Sequence, residues 1–367
     1  MAEKSSEFYR GRAKKKARGA FITTVIVLTV IAFAALLFYG LQKFIVITND
    51  GLYLEIPLLS DGTHSVVSDD DTEHRSFAEV NAELNIGEPD YDNVKATAGE
   101  GLQAVKAVLV PADKVSEEGI AAYAESVGSG NMLMLDVKPA NGKLVWSSQT
   151  ETALGYGTSG EMDLKPIIAS LHEQKIAVGV RLCCFIDDTL ASRYEQIRLT
   201  KEDGSFYEDD SGSWLDPSNT VARGYITDLC RELDGMGVDE ILLNAVRLPE
   251  TENAFRFTAN TSAVPTPETV ISGFGLNLAR SLRNCRAALS VQINTDAAMQ
   301  GVDGKTGQNA KLLLKVFDRI YKLSSPENAA ADVSSAAALV SLGKPEYRIV
   351  PICYDTAPGT ECWLRIG

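Results

Sequence analysis

Polar side chains that could do chemistry follow several apolar, strand-length runs of this sequence. The clearest run, residues 238–249, reads Val-Asp-Glu-Ile-Leu-Leu-Asn-Ala-Val-Arg-Leu-Pro. Polar and aromatic residues at the C-terminal ends of such runs, together with Trp214 and Asp216 in the loop after the third run, form two predicted groups. The candidate catalytic carboxylates are Asp136, Asp187, Asp216 and Asp355. The candidate substrate-binding residues are Lys138, Arg181, Trp214, Asn244, Arg247, Gln292 and Tyr354.

This mixture of carboxylates, amides, arginines and aromatic rings suits a polyhydroxylated ligand. Sugar hydroxyls bind planar polar groups, and sugar rings stack on aromatic faces. Phosphate fits the mixture less well. Glycoside hydrolysis would need two carboxylates about 5 to 5.5 Å apart if retaining, or about 6.5 to 9.5 Å apart if inverting.

Structural roles explain several of these residues equally well. Asp136 can pair with Lys138, and Asp216 before Pro217 is typical of a turn or a helix N-cap. Arg181 lies in an otherwise apolar strand, and a buried arginine needs a carboxylate partner. Asp136 and Asp216 are the candidates for that partner.

Other chemistries find little support in the sequence. The three histidines are His64, His74 and His172, two in an acidic linker and one in a helical pattern, so we predict neither a metal site nor a histidine triad. No glycine-rich phosphate loop is present, and we predict no cofactor. A net charge of −14 argues against nucleic acid as a partner. The six cysteines are predicted to be buried packing residues, although disulfides remain an alternative.

Strand-like and helix-like patterns alternate from residue 103 to residue 367. Such alternation predicts βα units around a parallel sheet, and eight strand candidates predict a closed (β/α)8 TIM-type barrel in which strand C-termini build the site. The predicted strands are 104–110, 132–137, 176–185, 240–246, 287–293, 318–321, 347–354 and 362–366. The predicted helices are 117–127, 163–174, 220–235, 267–284, 309–316 and 329–342.

The N-terminal region has the pattern of a membrane anchor. Residues 1–18 are basic, and residues 19–42 form an uncharged apolar run long enough to span about 30 Å of bilayer. The positive-inside rule predicts a single-pass protein of the cell membrane, with a cytoplasmic N-terminus and an extracellular barrel. A cleaved signal peptide is the alternative, but the run exceeds the usual signal length. Residues 43–102 are predicted to be a stalk or small hairpin followed by an acidic linker.

The motifs together resemble a family of bacterial, often membrane-anchored barrels of unknown function described as glycoside hydrolases and related to α-amylase-like enzymes. The resemblance covers roughly residues 105–294. It is carried by Leu-Asp-Val-Lys at 135–138, Gly-Lys-Leu-Val-Trp at 142–146, Val-Arg at 180–181, Trp-Leu-Asp-Pro at 214–217 and the 238–249 run. It implies a polysaccharide or cell-wall glycan as the partner.

The same resemblance implies acids at two positions that are amides here. An aspartate nucleophile is expected where this chain has Asn244, and an acid is expected at Gln292. An amide can hydrogen-bond a hydroxyl but can neither attack an anomeric carbon nor carry a proton. Three hypotheses stay open: a glycoside hydrolase with a displaced acid pair, a non-catalytic glycan-binding or scaffold barrel, and a barrel with an unrelated ligand.

Overall fold

The computed structural model describes residues 45–48, 51–54, 102–258, 265–340 and 345–367. The chain divides into two units, Met1–Ser76 and Phe77–Gly367. In the first unit, strands Ile45–Thr48 and Gly51–Leu54 pair in antiparallel register, as the turn signal between them predicts. Within the described ranges, no helix combines the length and apolarity needed to cross a membrane. The predicted tail and transmembrane helix, residues 1–42, lie outside those ranges.

The second unit contains a closed barrel of eight parallel strands. The strands are β1 Lys106–Val110, β2 Met132–Lys138, β3 Ala177–Cys183, β4 Glu240–Asn244, β5 Ala288–Ile293, β6 Arg319–Leu323, β7 Ile349–Tyr354 and β8 Trp363–Ile366. They follow chain order around the barrel, and β8 pairs with β1 to close it. All eight predicted strands form, which confirms the TIM-type prediction, and most are slightly shorter than their sequence patterns suggested.

Helices cover the outside of the barrel. They are α1 Glu117–Val127, α2 Glu151–Tyr156, α3 Leu164–Glu173, α4 Asp188–Arg193, α5 Thr220–Met236, α6 Pro267–Ser281, α7 Thr295–Gln300, α8 Ala310–Val316, α9 Ala329–Val340 and α10 Pro345–Arg348. The six predicted helices form. Four others of six residues or fewer were not predicted, because so short a helix shows little apolar periodicity.

Local sequence signals set the start and end of α5, which leads into β4. The Asn219 side chain accepts hydrogen bonds from the backbone N–H groups of Val221 and Ala222. Gly237 ends the helix at φ +95, a left-handed conformation that glycine adopts at little cost. Between these caps, α5 buries an apolar face that includes Tyr225 and Leu229. The apolar run that follows, β4, therefore begins at the N-terminal end of the barrel. The polar residue at its end, Asn244, lies at the opposite end of the barrel.

The barrel interior holds a buried ionic network near its N-terminal end. Glu240 accepts hydrogen bonds from Ser290 Oγ at 2.6 Å and from the Tyr321 hydroxyl at 2.7 Å, and Arg319 donates to its second oxygen at 2.7 Å. Arg319 also donates to the carbonyl of Gln103, where the chain enters the barrel. Tyr321 lies in β6, and this hydrogen bond turns its hydroxyl toward Glu240. The network links β4, β5 and β6 at the N-terminal end of the barrel, away from the candidate site.

Candidate active site at the ends of β4 and β5

A cavity of about 310 Å³ opens at the C-terminal ends of β4 and β5. The parallel pairing of these strands, with Leu243 beside Val291, brings Asn244 and Gln292 together. The predicted residue Arg247 lines the same cavity. The full lining is Asn244, Ala245, Arg247, Glu250, Gln292, Ile293, Asn294, Thr295, Asp296 and Leu323. The structure thus assembles three of the predicted binding residues in one place.

The backbone after Asn244 turns sharply toward the cavity. Ala245 has φ +54, a left-handed conformation that is uncommon for alanine. Asn244 Oδ1 accepts a hydrogen bond from the Ala245 N–H at 2.7 Å, which stabilises the turn. The side-chain oxygen of Asn244 is therefore engaged within the protein, and its amide nitrogen is the group left for a ligand.

Arg247 is oriented by the aromatic ring of Trp214. The guanidinium carbon lies 5.1 Å from the ring centroid, and Nη1 donates to the Leu248 carbonyl at 3.1 Å. Trp214 is fully buried, so its ring cannot stack on a sugar while the site keeps this form. The structure therefore places Trp214 behind Arg247 as a support for the guanidinium.

A short hairpin formed by Val302–Asp303 and Gln308–Asn309 ties the ends of β4 and β5 together. The buried Gln308 side chain donates to the Val246 carbonyl at 3.0 Å and to the Gln292 carbonyl at 3.2 Å. Its oxygen accepts from the Asn294 N–H at 2.8 Å. The Gln308 side chain thus holds the backbone just after β4 to the backbone at the end of β5.

Asp303 strengthens this attachment. Burial raises the pKa of its carboxyl group, but hydrogen bonds from the Thr306 hydroxyl and the Asn294 side-chain amide outweigh burial and leave the pKa below its usual value. The Thr306 carbonyl in turn accepts from the Leu248 N–H at 2.9 Å. Sequence reasoning did not identify this hairpin, because two-residue strands show no measurable alternation.

The predicted residue Asp136 forms an ion pair with Arg181 inside the barrel. Arg181 Nη2 lies 2.6 Å from Asp136 Oδ2, and Asp136 is only 7% exposed. Arg181 is in register with Asp136 on one side and with Leu242 on the other, and Leu242 belongs to a buried apolar cluster that includes Met134 and Leu364. The expectation that Arg181 needs a carboxylate partner is confirmed, and of the two candidates the partner is Asp136.

Lys138 points away from the barrel interior because β2 contains a register shift. Asp136 pairs with Arg181, but Lys138 pairs with Leu182, so the usual alternation of faces is interrupted between them. Lys138 Nζ lies 2.8 Å from Asp187 Oδ2 and donates to the Cys183 carbonyl at 2.7 Å. The sequence-based alternative that paired Lys138 with Asp136 is wrong.

The Lys138–Asp187 pair is fully buried. Burial by itself lowers the pKa of Lys138, but Coulombic attraction from Asp187, with smaller contributions from other groups, raises it above its ordinary value. Asp187 Oδ1 also caps α4 by accepting from the Leu190 N–H at 2.7 Å. A Cβ added at Gly142 would lie 1.8 Å from Asp187 Oδ1, so only glycine fits beside this carboxylate. Asp187 is enclosed by protein and does not line the cavity.

Asp216 is also buried, and its carboxylate is saturated with hydrogen bonds. It accepts from the Ser218 N–H at 2.8 Å and hydroxyl at 2.9 Å, and from the Thr258 N–H at 2.7 Å and hydroxyl at 2.8 Å. These bonds join the loop after β3 to the loop after β4. The alternative that gave Asp216 a turn role agrees with this geometry.

The remaining predicted residues lie at the end of β7. Tyr354 is 57% exposed, and Asp355 is exposed with φ +57. Neither residue lines the cavity at β4 and β5. Their proposed roles in binding and catalysis remain predictions.

Two carboxylates that the sequence reasoning missed do line the cavity. Glu250 follows Pro249 in the loop after β4, and Asp296 lies in the first turn of α7, two residues beyond Asn294. Both are exposed to solvent. A search extended from strand ends to the first turn of the following helix would have found Asp296, because that turn also faces the C-terminal end of the barrel.

Metal ions in proteins are held mainly by histidine, cysteine and acidic side chains. The described part of the chain contains no cluster of three or more. All six cysteines fall in that part, and each is a free thiol, with five buried and Cys285 partly exposed. The cavity thus offers amides, carboxylates and one guanidinium.

The closed parallel barrel places this protein in the class of (β/α)8 barrels. In that class functional sites lie at the C-terminal ends of the strands, where this protein has its polar cavity. The family model "DUF4015: Putative glycosyl hydrolase domain" matches residues 116–341. This chain therefore belongs to that family. No curated protein matches the sequence.

Several solved structures are similar. The glycoside hydrolase domain of PgaB (BpsB) from Bordetella bronchiseptica is 12% identical, with 71% of this chain and 93% of that chain covered and a TM-score of 0.52. Ega3 from Aspergillus fumigatus, solved with galactosamine, is 9% identical, with coverage of 71% and 82% and a TM-score of 0.42. A hypothetical protein from Ruminiclostridium thermocellum is 22% identical, with coverage of 50% and 96% and a TM-score of 0.44. The similarity to PgaB supports the barrel fold.

Proposed function

We propose that this protein binds a polysaccharide in the cavity at the ends of β4 and β5 and does not turn it over efficiently. The observation that carries the proposal is that the two strand-end positions in the cavity, Asn244 and Gln292, are both amides. Amides donate to and accept from sugar hydroxyls, so binding needs no carboxylate there. Hydrolysis does need one, since an amide is neither nucleophile nor acid.

The buried aspartates support this proposal. Asp187 and Asp216 are enclosed and engaged with protein groups, and Asp136 is paired with Arg181 at 2.6 Å. A general acid must reach the glycosidic oxygen within about 3.2 Å. Carboxylates that already bind neighbouring protein groups cannot do so without breaking those contacts.

Hydrolysis by a displaced pair is a second candidate function. It is favoured by one observation, that Glu250 and Asp296 line the same cavity as Asn244. A carboxylate pair across a scissile bond is the common requirement of retaining and inverting glycosidases. In this alternative one of the two acids protonates the leaving group and the other activates water or attacks directly.

The proposed setting is the outer side of the cell membrane. The basic residues 1–18 and the apolar run 19–42 support a single-pass anchor with its N-terminus in the cytoplasm. A barrel placed outside in this way would meet cell-envelope or environmental polysaccharide. An epitope tag at the C-terminus should then be reached by antibody on intact cells, and a tag reached only after permeabilisation would contradict this placement.

The function is tested on the full chain reconstituted in nanodiscs. Binding and reducing-end release are measured over a broad glycan panel for the wild type, Gln292→Ala and a control, Glu361→Gln, which changes an exposed residue just before β8 at the opposite end of the barrel. We expect binding without release, lost in Gln292→Ala and kept in the control. Release that disappears in Glu250→Gln or Asp296→Asn would establish the second candidate, and a panel with no binding partner would overturn the proposal.

A further inference from the structure

The residues that line the cavity carry more negative charge than positive charge. Arg247 supplies one positive charge, whereas Glu250 and Asp296 supply two carboxylates. The other polar side chains of the lining are uncharged: Asn244, Gln292, Asn294 and Thr295. The cavity therefore has an excess of one negative charge before any ligand enters.

The positive charge of Arg247 is already compensated. Its Nη1 lies 3.8 Å from Glu250 Oε1, and its guanidinium rests near the face of Trp214 while donating to the Leu248 carbonyl. Both the carboxylate and the ring face attract a cation. An anionic sugar would have to compete with these partners.

Asp296, in contrast, is left unpaired by the side chains that the structure describes. Within the described ranges, no hydrogen bond or ion pair involves its side chain, and the carboxylate is exposed toward the cavity. Lys322 does reach α7, since its Nζ lies 3.8 Å from Met299 Sδ. That ammonium is nevertheless paired with Asp332 at 2.6 Å. The negative charge of Asp296 is thus left for a ligand.

We propose that the glycan bound here carries protonated amines, which makes it a polymer containing hexosamine residues without N-acetyl groups. Asp296 binds the ammonium group, and the amides of Asn244 and Gln292 bind neighbouring hydroxyls. The net charge of −14 further disfavours polyanionic glycans at this site. This inference rests on the proposed function, because it names the ligand class of the same cavity.

The experiment compares three sets of oligosaccharides of equal length and linkage: chitin oligosaccharides, their de-N-acetylated forms and cello-oligosaccharides. Affinities for the full chain in nanodiscs are measured at about pH 5, which is below the pKa of a sugar amine and above the ordinary aspartate value of about 3.9. We expect the de-N-acetylated form to bind about fivefold more tightly than the neutral forms, as for one solvated ion pair. The preference should weaken at high salt.

Two variants assign the preference to a residue. Asp296→Asn should make the affinities for the amine and neutral oligosaccharides equal, and Glu361→Gln, which removes an equal charge at the opposite end of the barrel, should keep the preference. Neutral oligosaccharides that bind as well as or better than the amine form would overturn this inference and leave the proposed function standing. Asp296→Asn that keeps the preference would also overturn it. Failure of all three sets to bind would overturn this inference, whereas the proposed function fails only if the broad glycan panel also contains no binding partner.

Discussion

Asn244 and Ala245 form one unit at the mouth of the barrel: the side-chain oxygen of Asn244 accepts from the Ala245 N–H at 2.7 Å, and Ala245 has φ +54. The same bond could be made by an aspartate oxygen. The second oxygen of that aspartate would then take the place of the Asn244 amide nitrogen, at the cavity.

Asn244→Asp should therefore fold normally, with a change in unfolding free energy of less than about 1 kcal/mol, because the bond to Ala245 is kept. We expect the variant to gain reducing-end release on any glycan that the wild type binds, since Glu250 and Asp296 supply acids in the same cavity. The matched control is the triple variant Asn244→Asp, Glu250→Gln, Asp296→Asn, which should show no gain. If Asn244→Asp gains nothing, neither acid stands where a proton donor is needed.

Gln308 is predicted to act as a positioning residue for the site. Gln308→Leu leaves the Val246 and Gln292 carbonyls and the Asn294 N–H without their side-chain partner. We expect a loss of about 3 kcal/mol in unfolding free energy by urea titration, and weaker glycan binding at temperatures where the variant is folded. Gln300→Leu, on the exposed end of α7, is the matched control and should change stability by less than about 0.5 kcal/mol. Equal unfolding free energies and equal glycan binding in the two variants would show that Gln308 does not position the backbone groups at the site.

Asp216→Asn tests whether this carboxylate stabilises loops or performs chemistry. An amide nitrogen in place of one oxygen faces N–H and O–H groups that all donate, so we expect about 2 kcal/mol of destabilisation. Thr258→Val, which removes one of the donors, should destabilise in the same direction. Glycan binding by the folded protein at saturating ligand should persist. A variant with wild-type stability but altered turnover would instead assign Asp216 a catalytic role.

The Lys138–Asp187 pair predicts a specific dependence on pH. Lys138→Met leaves a buried carboxylate unpaired, which should cost about 3 to 5 kcal/mol at neutral pH. The folded-state pKa of Lys138 is raised above its unfolded value, so its contribution is complete below the unfolded pKa of about 10.4 and falls as pH rises through the folded pKa. Urea titrations should show a constant difference from wild type between about pH 7 and 9 that shrinks above about pH 10.4. The exposed Lys143→Met should show no such trend.

The sequence by itself determined the barrel and the residues that its strands carry to the mouth. Apolar runs separated by helical patterns predicted all eight strands, since side-chain periodicity reflects which face is buried. The position of Asn244 and Gln292 at neighbouring strand ends followed from the same patterns. Local hydrophobic patterning is sufficient for these features because each depends on residues close together in the chain.

Only the tertiary structure decided which charged groups are available for chemistry. A register shift between Asp136 and Lys138 turns the lysine outward to Asp187, and no periodicity in the sequence reveals that shift. The cavity collects Glu250 from the loop after β4 and Asp296 from the first turn of α7. Loop conformation and ion pairing depend on contacts between residues far apart in sequence, so only the folded chain decides which carboxylates line the cavity.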